Sequence, residues 1–564
     1  MKKISLALVV SCSILFVSNS NAAQYKVVVL PVAALGDNSY PSDINSVGEI
    51  TVNLINKYSP AIDIALLDFD TIADFLTDLE SAKVGDFSDE DYATVYSYIQ
   101  ANAENQLFQQ ITSQNGFIAT ESDSEQVYGF DSIDSLTDEY TNSAYVNLRA
   151  INDFGYAVGV SYDGFYKVDY INQDIDEITY VVNDFYVRGF AAIDGESVPL
   201  PPPETSAGGL SDAYDINNSN QIVGYGTTEL VSDTFAQSIE DCSDEESRAD
   251  VPQESCLRSL SIQLNASASS LVQRRGIIWQ VDERGNVTDT FVLPMLITPD
   301  SSDTTIYSST AVAINDFGIA VGQSPDYYLD STSLTTSAAI YNDDQVTTIN
   351  EDELVYSSTA TDINNDNIVV GNASKAVNGS ILNKFFVHDM DADLTEYPDD
   401  FYTEGNSYAT GINNQNMVVG YGDSELTTSG TSRTGAFLYD YRNDIFNQIN
   451  TLIECNSQYN IVEAHAINDD NVIVATATVT EAVRNLSGEI VYDEYGAETT
   501  TTHYVAVQLE PISGGSIDNC DALEADVLRQ GGSVFWLLVI VPVGLLRLIS
   551  RDKSRATDIV FFRH

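Results

Sequence analysis

The chain has 564 residues, with 84 acidic and 24 basic side chains and a formal net charge of −60. A field of that sign repels nucleic acid and anionic lipid, so neither is expected as a partner of the body of the protein. Apolar residues still make up 43 % of the chain, so the acidity does not signal disorder.

The first elements are an export signal and a strand. Met1-Lys2-Lys3, a mostly apolar run over 4–17 and Ser20-Asn21-Ala22 read as a signal peptide over residues 1–22, cut after Ala22 or Ala23. The mature chain opens on a strand over 25–34, carried by Val27, Val28 and Val29. A helical hairpin is then expected between about residues 69 and 112. Asp70 would cap a helix with Ile72, Phe75, Leu76 and Leu79 on one face. Ser88 and Asp91 make a capping-box-like start to a second, striped by Tyr92, Val95, Tyr96, Ile99, Ala103, Leu107 and Ile111. Such a stripe usually packs, so the hairpin reads first as a cover and second as a docking element.

One short hairpin is written seven times, from Ile44, Ile151, Ile216, Ile314, Ile363, Ile412 and Ile467. It runs Ile-Asn, then Asn, Asp or Ser, any residue, Gly or Asn, and an apolar run usually ending in Val-Gly. The fifth positions are Gly48, Gly155, Asn220, Gly318, Asn367, Asn416 and Asn471. Gly and Asn enter the left-handed region cheaply, so each copy reads as strand, tight turn, strand. The steps of 49 residues from Ile314 to Ile363 to Ile412 suit a propeller blade. One unit is expected to take strands at 337–341, 345–349, 356–363 and 368–373. The 98-residue step after Ile216 reads as an insertion over 233–274, with a strand at 260–264, rather than an eighth blade. A last strand near 503–509 would meet the first strand and close the ring.

The expected fold is therefore all-β: a seven-bladed propeller of four-stranded antiparallel blades over 24–510, with a small helical insertion and a C-terminal hydrophobic helix. A polar spacer over 511–530 follows. Four cysteines remain after the signal, and an even set in an exported chain suggests two disulfides. Three pairings are open; Cys242–Cys256 and Cys455–Cys520 are favoured, the first lying inside one insertion.

Chemistry is sparse. A Gly-x-Ser-x-Gly elbow and a Walker loop are absent. His388, His465 and His503 lack metal-ligand spacing and read as strand histidines with local partners; His564 lies in the tail. Asp389-Met390-Asp391-Ala392-Asp393 resembles the start of a calcium loop, but Leu394 and Asp400 stand where an EF-hand needs Gly and Glu. No catalytic or metal residues are assigned and no cofactor is expected, with loop-bound calcium the second reading. Thirty-two tyrosines supply aromatic surface for sugars, partners or simple packing.

At the C-terminus, Gly531-Gly532-Ser533 precedes an apolar stretch over 534–546 and then Arg547, Arg551, Lys553 and Arg555. This resembles the GlyGly-CTERM signal of Gram-negative exported proteins, over 531–555, with a tail at 556–564. The resemblance implies processing near Gly531-Gly532 by a rhombosortase-like intramembrane protease after passage through the export machinery. Pro542 and the tail depart from its pattern. Cutting there would leave 82 acids against 17 bases. The plainer alternative is a transmembrane anchor with its basic cluster cytoplasmic, and a periplasmic body held in the inner membrane. Gly435-Ala436-Phe437-Leu438-Tyr439-Asp440, followed by Ala466-Ile467-Asn468-Asp469, resembles the HAF repeat of bacterial extracellular proteins, with Gly435 in place of its His. The repeats and end signals together resemble an uncharacterised family of exported Gram-negative proteins. Together these readings point to a secreted or surface-displayed, non-enzymatic propeller that binds a glycan or protein. A polysaccharide hydrolase or lyase and a structural envelope protein are the alternatives. A tight cluster of pKa-perturbed acids in the channel would favour the enzyme.

Overall fold

Every Ile-Asn turn joins the first two strands of a four-stranded antiparallel sheet, and seven such sheets are stacked into a ring. The computed structural model describes residues 24–517, apart from 104, 134–137, 301–302, 330, 350–351 and 427–431. Blade 1 opens with Gly36–Ile44, blade 2 with Val146–Ile151, blade 3 with Ser211–Ile216 and blade 4 with Thr310–Ile314. Blades 5, 6 and 7 open with Val355–Ile363, Ser407–Ile412 and Asn460–Ile467. Each first strand lies beside the first strand of the next blade, all the way round. Blade 7 is built from both chain ends: Tyr25–Val29 pairs with Thr500–Pro511, and Ile473–Ala482 and Asn460–Ile467 follow inward. That strand exchange closes the wheel.

The blade phase differs from the sequence expectation. Leu334–Asn342 and Gln345–Thr348 are the third and fourth strands of blade 4, whereas Val355–Ile363 and Ile368–Val377 open blade 5. The unit read from the sequence straddled two blades. The innermost strand precedes the turn, and the sequence period is the same for either phase.

Blades cover one another, so inner strands are buried on both faces. Val158, Val223, Val369, Val370, Val418 and Val474 are all fully buried. Trp279, also fully buried, donates its indole N–H to the Pro201 carbonyl at 3.0 Å.

The seven first strands share one irregularity. Two positions before each Ile the register slips by a residue, at Ser42, Arg149, Tyr214, Val312, Thr361, Thr410 and His465. A bulge bends its strand and presses backbone onto the partner. A Cβ at Gly224 would stand 1.9 Å from the Asp212 carbonyl oxygen, and one at Gly420 2.0 Å from that of Tyr408. The glycine ending the motif is required there by close approach.

Insertions in blades 1, 2 and 3 meet in one side module. The helical segment of blade 1 is shorter than expected. Phe69–Ile72 is one helical turn capped by Asp68, not Asp70, and Leu79–Ala82 is a separate turn. Asp89–Ala101 is the main helix, with Ser88 accepting from the Asp91 N–H at 3.2 Å; Leu107 lies beyond it and is exposed. Blade 2 inserts the hairpin Tyr166–Ile171/Glu177–Val182. Blade 3 inserts helices Asp233–Ser243 and Gln253–Leu271, so residues 260–264, expected as a strand, are helical. Their apolar residues fall on the helix side that meets Leu210 and Phe235, a contact hidden from local periodicity. Gln106 ties the module together: its carbonyl accepts from Val181, and its amide donates to Ser255 and Ser259. The Cys242–Cys256 disulfide joins the two blade 3 helices. Cys520, expected opposite Cys455, lies outside the described residues, as do residues 1–22, expected as an export signal, and Gly531, Gly532, Ser533, Arg547 and Arg551. Among the described residues no helix is long and apolar enough to cross a membrane.

Candidate functional site

The turns converge on a channel mouth of about 200 Å³. The seven fifth positions all have positive φ, from 56° at Asn220 to 87° at Gly48. The second position, always Asn, does more than turn the chain. Each Asn side-chain oxygen accepts the N–H groups two and four residues ahead, as Asn315 does from Phe317 and Ile319. Each side-chain amide then donates to the backbone carbonyl of the equivalent Asn in the next blade. The circuit runs Asn45, Asn152, Asn217, Asn315, Asn364, Asn413, Asn468 and back to Asn45, at 2.9–3.3 Å. Asn suits this position because one planar group supplies both acceptor and donor.

Below this circuit the bulges free backbone N–H groups. Asp43 accepts from the N–H of Ile44 and of Ile151 in the next blade, at 2.8 and 2.9 Å. Asp215 does the same for Ile216 and Ile314, and Asp362 for Ile363 and Ile412. One carboxylate has two oxygens and serves two blades, so an Asp is needed only in every second blade. Ala150, Ala313 and Ala466 stand at this position elsewhere, and their blades carry Asp153, Asp316 and Asp469 on the rim instead. Blade 6, with Gly411 and Asn414, has neither. Burial, with the charges of Asp215 and Asp153, pushes Asp43 up to about 7. Burial pushes Asp215 up to about 6, and burial with the charges of Asp215 and Asp43 raises Asp362 well above the carboxylate range. Rim Asp153 is the opposite case. Its burial cost is outweighed by hydrogen bonds from Ser46 and Asn218, so its pKa is lowered. Among the described residues no three acidic, His or Cys side chains gather closely enough to hold a metal ion.

At the opposite end of the ring the seams between blades differ. Two residues beyond the glycine that ends the motif, the second strand faces a third-strand residue beside the linker to the next blade. In blade 2 this is Arg188, which donates to the Gly208 carbonyl. In blade 3 it is Arg275, bonded to the Tyr307 carbonyl at 2.9 Å, and in blade 5 Lys384, bonded to Tyr402 O at 2.9 Å and Asp400 at 2.8 Å. In blade 6 the same position is Gly435, with no side chain, and the seam to blade 7 opens into a cavity of about 610 Å³. Glu463 lines it, half-buried and without a hydrogen-bond partner among the described residues; burial raises its pKa. Beside it Tyr504, 43 % exposed, stacks on Tyr40 with centroids 5.8 Å apart. Gln448, Asn460 and Thr478 add polar groups to the lining, and the ion pair of Glu425 with Arg433 stands on the same wall.

The histidines sit among local partners: His388 by Thr395, His465 by Thr476 and His503 by the Asp37 carbonyl. Burial lowers His465 to about 4. Sequence reading missed the paired carboxylates, although Asp-Ile-Asn alternating with Ala-Ile-Asn-Asp was legible. It also missed a serine five residues before the Ile. Ser39, Ser211, Ser309, Ser358 and Ser407 each accept an N–H from the preceding blade, and their fixed offset was the available signal.

The chain belongs to the family described as "Protein of unknown function (DUF3466)", whose match spans residues 2–548. No curated protein matches it. Among solved structures it is similar to a puromycin-hydrolyzing peptidase of Mycobacterium tuberculosis, at 8 % identity and a TM-score of 0.37, covering 84 % of this chain and 56 % of that one. An acylaminoacyl peptidase of Pyrococcus horikoshii matches at 10 % identity and 0.34, covering 80 % and 50 %. The chain thus spans about half the length of these peptidases. At such scores nothing about activity passes from them to this protein.

Proposed function

From membership of a family without an assigned activity, we propose that this protein is an exported, non-catalytic propeller that binds a ligand in the seam between blades 6 and 7. One contrast carries the reading. The hub carboxylates spend their oxygens on holding blades together, whereas Glu463, Gln448 and Asn460 line an open cavity with side-chain polar groups that take no hydrogen bond among the described residues. A concave site with a few convergent polar groups and an aromatic wall is the usual form of a ligand pocket. The disulfide supports folding outside the cytoplasm. Secretion or surface display, with C-terminal processing at Gly531-Gly532, follows from the end signals.

The raised pKa values of Asp43, Asp215 and Asp362 favour a second reading, a hydrolase. It is the weaker one, because both oxygens of each are held by backbone N–H groups and burial at the seams accounts for the shifts. At the open seam Glu425 is exposed and paired with Arg433 at 3.3 Å, which among the described residues leaves Glu463 without a free carboxylate partner on the cavity wall. The test is a screen of the exported protein against glycan and protein panels, with turnover followed in parallel. Retention without product is expected. Release of products, lost in Glu463→Gln, would replace binding with hydrolysis.

A further inference from the structure

Resting on that reading, we infer that the seam cavity takes a neutral saccharide, with Tyr504 as the platform beneath a sugar ring and Glu463 as acceptor for two of its hydroxyls. The cavity is an absence made by sequence. Arg188, Arg275 and Lys384 plug the corresponding seams, each bonded to a carbonyl of the next linker, and Gly435 leaves this one open. In the seam of blades 4 and 5, where Ser337 takes the position, only about 40 Å³ remains among Tyr327, Tyr328 and Tyr356. About 610 Å³ is room for more than one sugar ring.

The lining matches the chemistry of that ligand. A sugar presents C–H bonds on one face and hydroxyls round its edge. Tyr504 offers a ring face held by Tyr40, so little freedom is lost when it is used. Glu463 has two acceptor oxygens that take no hydrogen bond among the described residues, and Gln448 and Asn460 add amides able to donate and accept. A half-buried carboxylate lacking hydrogen bonds is costly, and ligand hydroxyls would supply them. Anionic sugars are disfavoured by Glu463 and by the net charge of −60.

The experiment is calorimetry of the exported protein with maltohexaose, cellohexaose and chitohexaose, with a galacturonate hexamer and spermidine as charged probes. Binding of at least one neutral hexaose is expected, and none of the galacturonate hexamer. Tyr504→Ala and Glu463→Gln should each weaken binding about tenfold or more, with melting temperatures unchanged. Gly435→Lys, combined with Ser424→Gly because a Cβ at 435 would meet the Ser424 Cβ at 2.7 Å, should abolish it. Hexaose binding indifferent to Tyr504→Ala, or preference for spermidine, overturns the inference. If no hexaose binds but another ligand from the wider screen does, the saccharide is wrong and the binding reading stands. If nothing binds, both fall.

Discussion

At the scale of single residues, the hub asks two things of each asparagine and one thing of each aspartate. Asn413 accepts from Gln415 and Met417 and donates to Asn468 O at 2.9 Å. Asn413→Asp keeps the acceptors and removes the donor: the link to blade 7 is lost, the Asn468 carbonyl keeps only the N–H of Asn471 at 3.0 Å, and a carboxylate oxygen is set against it and against the Asn471 side-chain oxygen. It should cost about 1–3 kcal/mol in urea unfolding; a change within about 0.5 kcal/mol, usual for a surface position, would show that the circuit carries no stability. Asp215 adds a pH dependence. Its folded pKa is raised, so its stabilising contribution is complete below the unfolded value of about 4 and is lost as pH rises through about 6. Asp215→Ala also strips two N–H groups of their acceptor. The variant should therefore be less stable than the parent, by a margin larger at pH 5 than at pH 8. A margin that grew toward pH 8 would contradict the raised pKa.

At the scale of elements, the side module depends on its disulfide while the blades do not. Closing a loop of about 15 residues is worth roughly 3 kcal/mol in the chain-entropy picture. Cys256→Ala should speed amide exchange across Gln253–Leu271 and the hairpin Tyr166–Val182, and leave Ile368–Val377 unchanged. Exchange accelerated throughout would mean that the module and the ring unfold as one. What could be read in the sequence follows the same division. The Ile-Asn turns were legible because a position needing positive φ is confined to Gly and Asn. The blade number followed from their count, and the insertion between Ile216 and Ile314 from their spacing. Strand phase was not legible, since a repeat has no marked beginning. The helix at 260–264 was not either, because what decides it is contact with Leu210 and Phe235, distant in sequence. For the seam cavity, Gly435 was visible as an oddity; that its counterparts are Arg188, Arg275 and Lys384 required the strand register.

At the scale of the whole molecule, stability rests on ring closure and is opposed by charge. Removing residues 24–30 takes away the outer strand of blade 7 and the buried Tyr25 and Leu30. The shortened protein should melt at least about 10 °C lower or unfold in more than one step, whereas an unchanged single transition would mean that closure adds little. The net charge of −60 is self-repelling, so the melting temperature should rise between 0.05 and 0.5 M salt. A fall would show that attractive ion pairs dominate.

The paired carboxylates also dictate an order of assembly. Asp43 fastens blades 1 and 2, Asp215 blades 3 and 4, and Asp362 blades 5 and 6. Every one of these couples is continuous in the chain, so each can form as soon as its own stretch is free to fold. The blade that belongs to no couple is the one stitched from both ends of the polypeptide. It must wait for the last strand to arrive. In pulse-labelled refolding, the amides of Ile473–Ala482 and Thr500–Pro511 should be the last to gain protection, and the wheel should spend its youth as an open arc of three doublets.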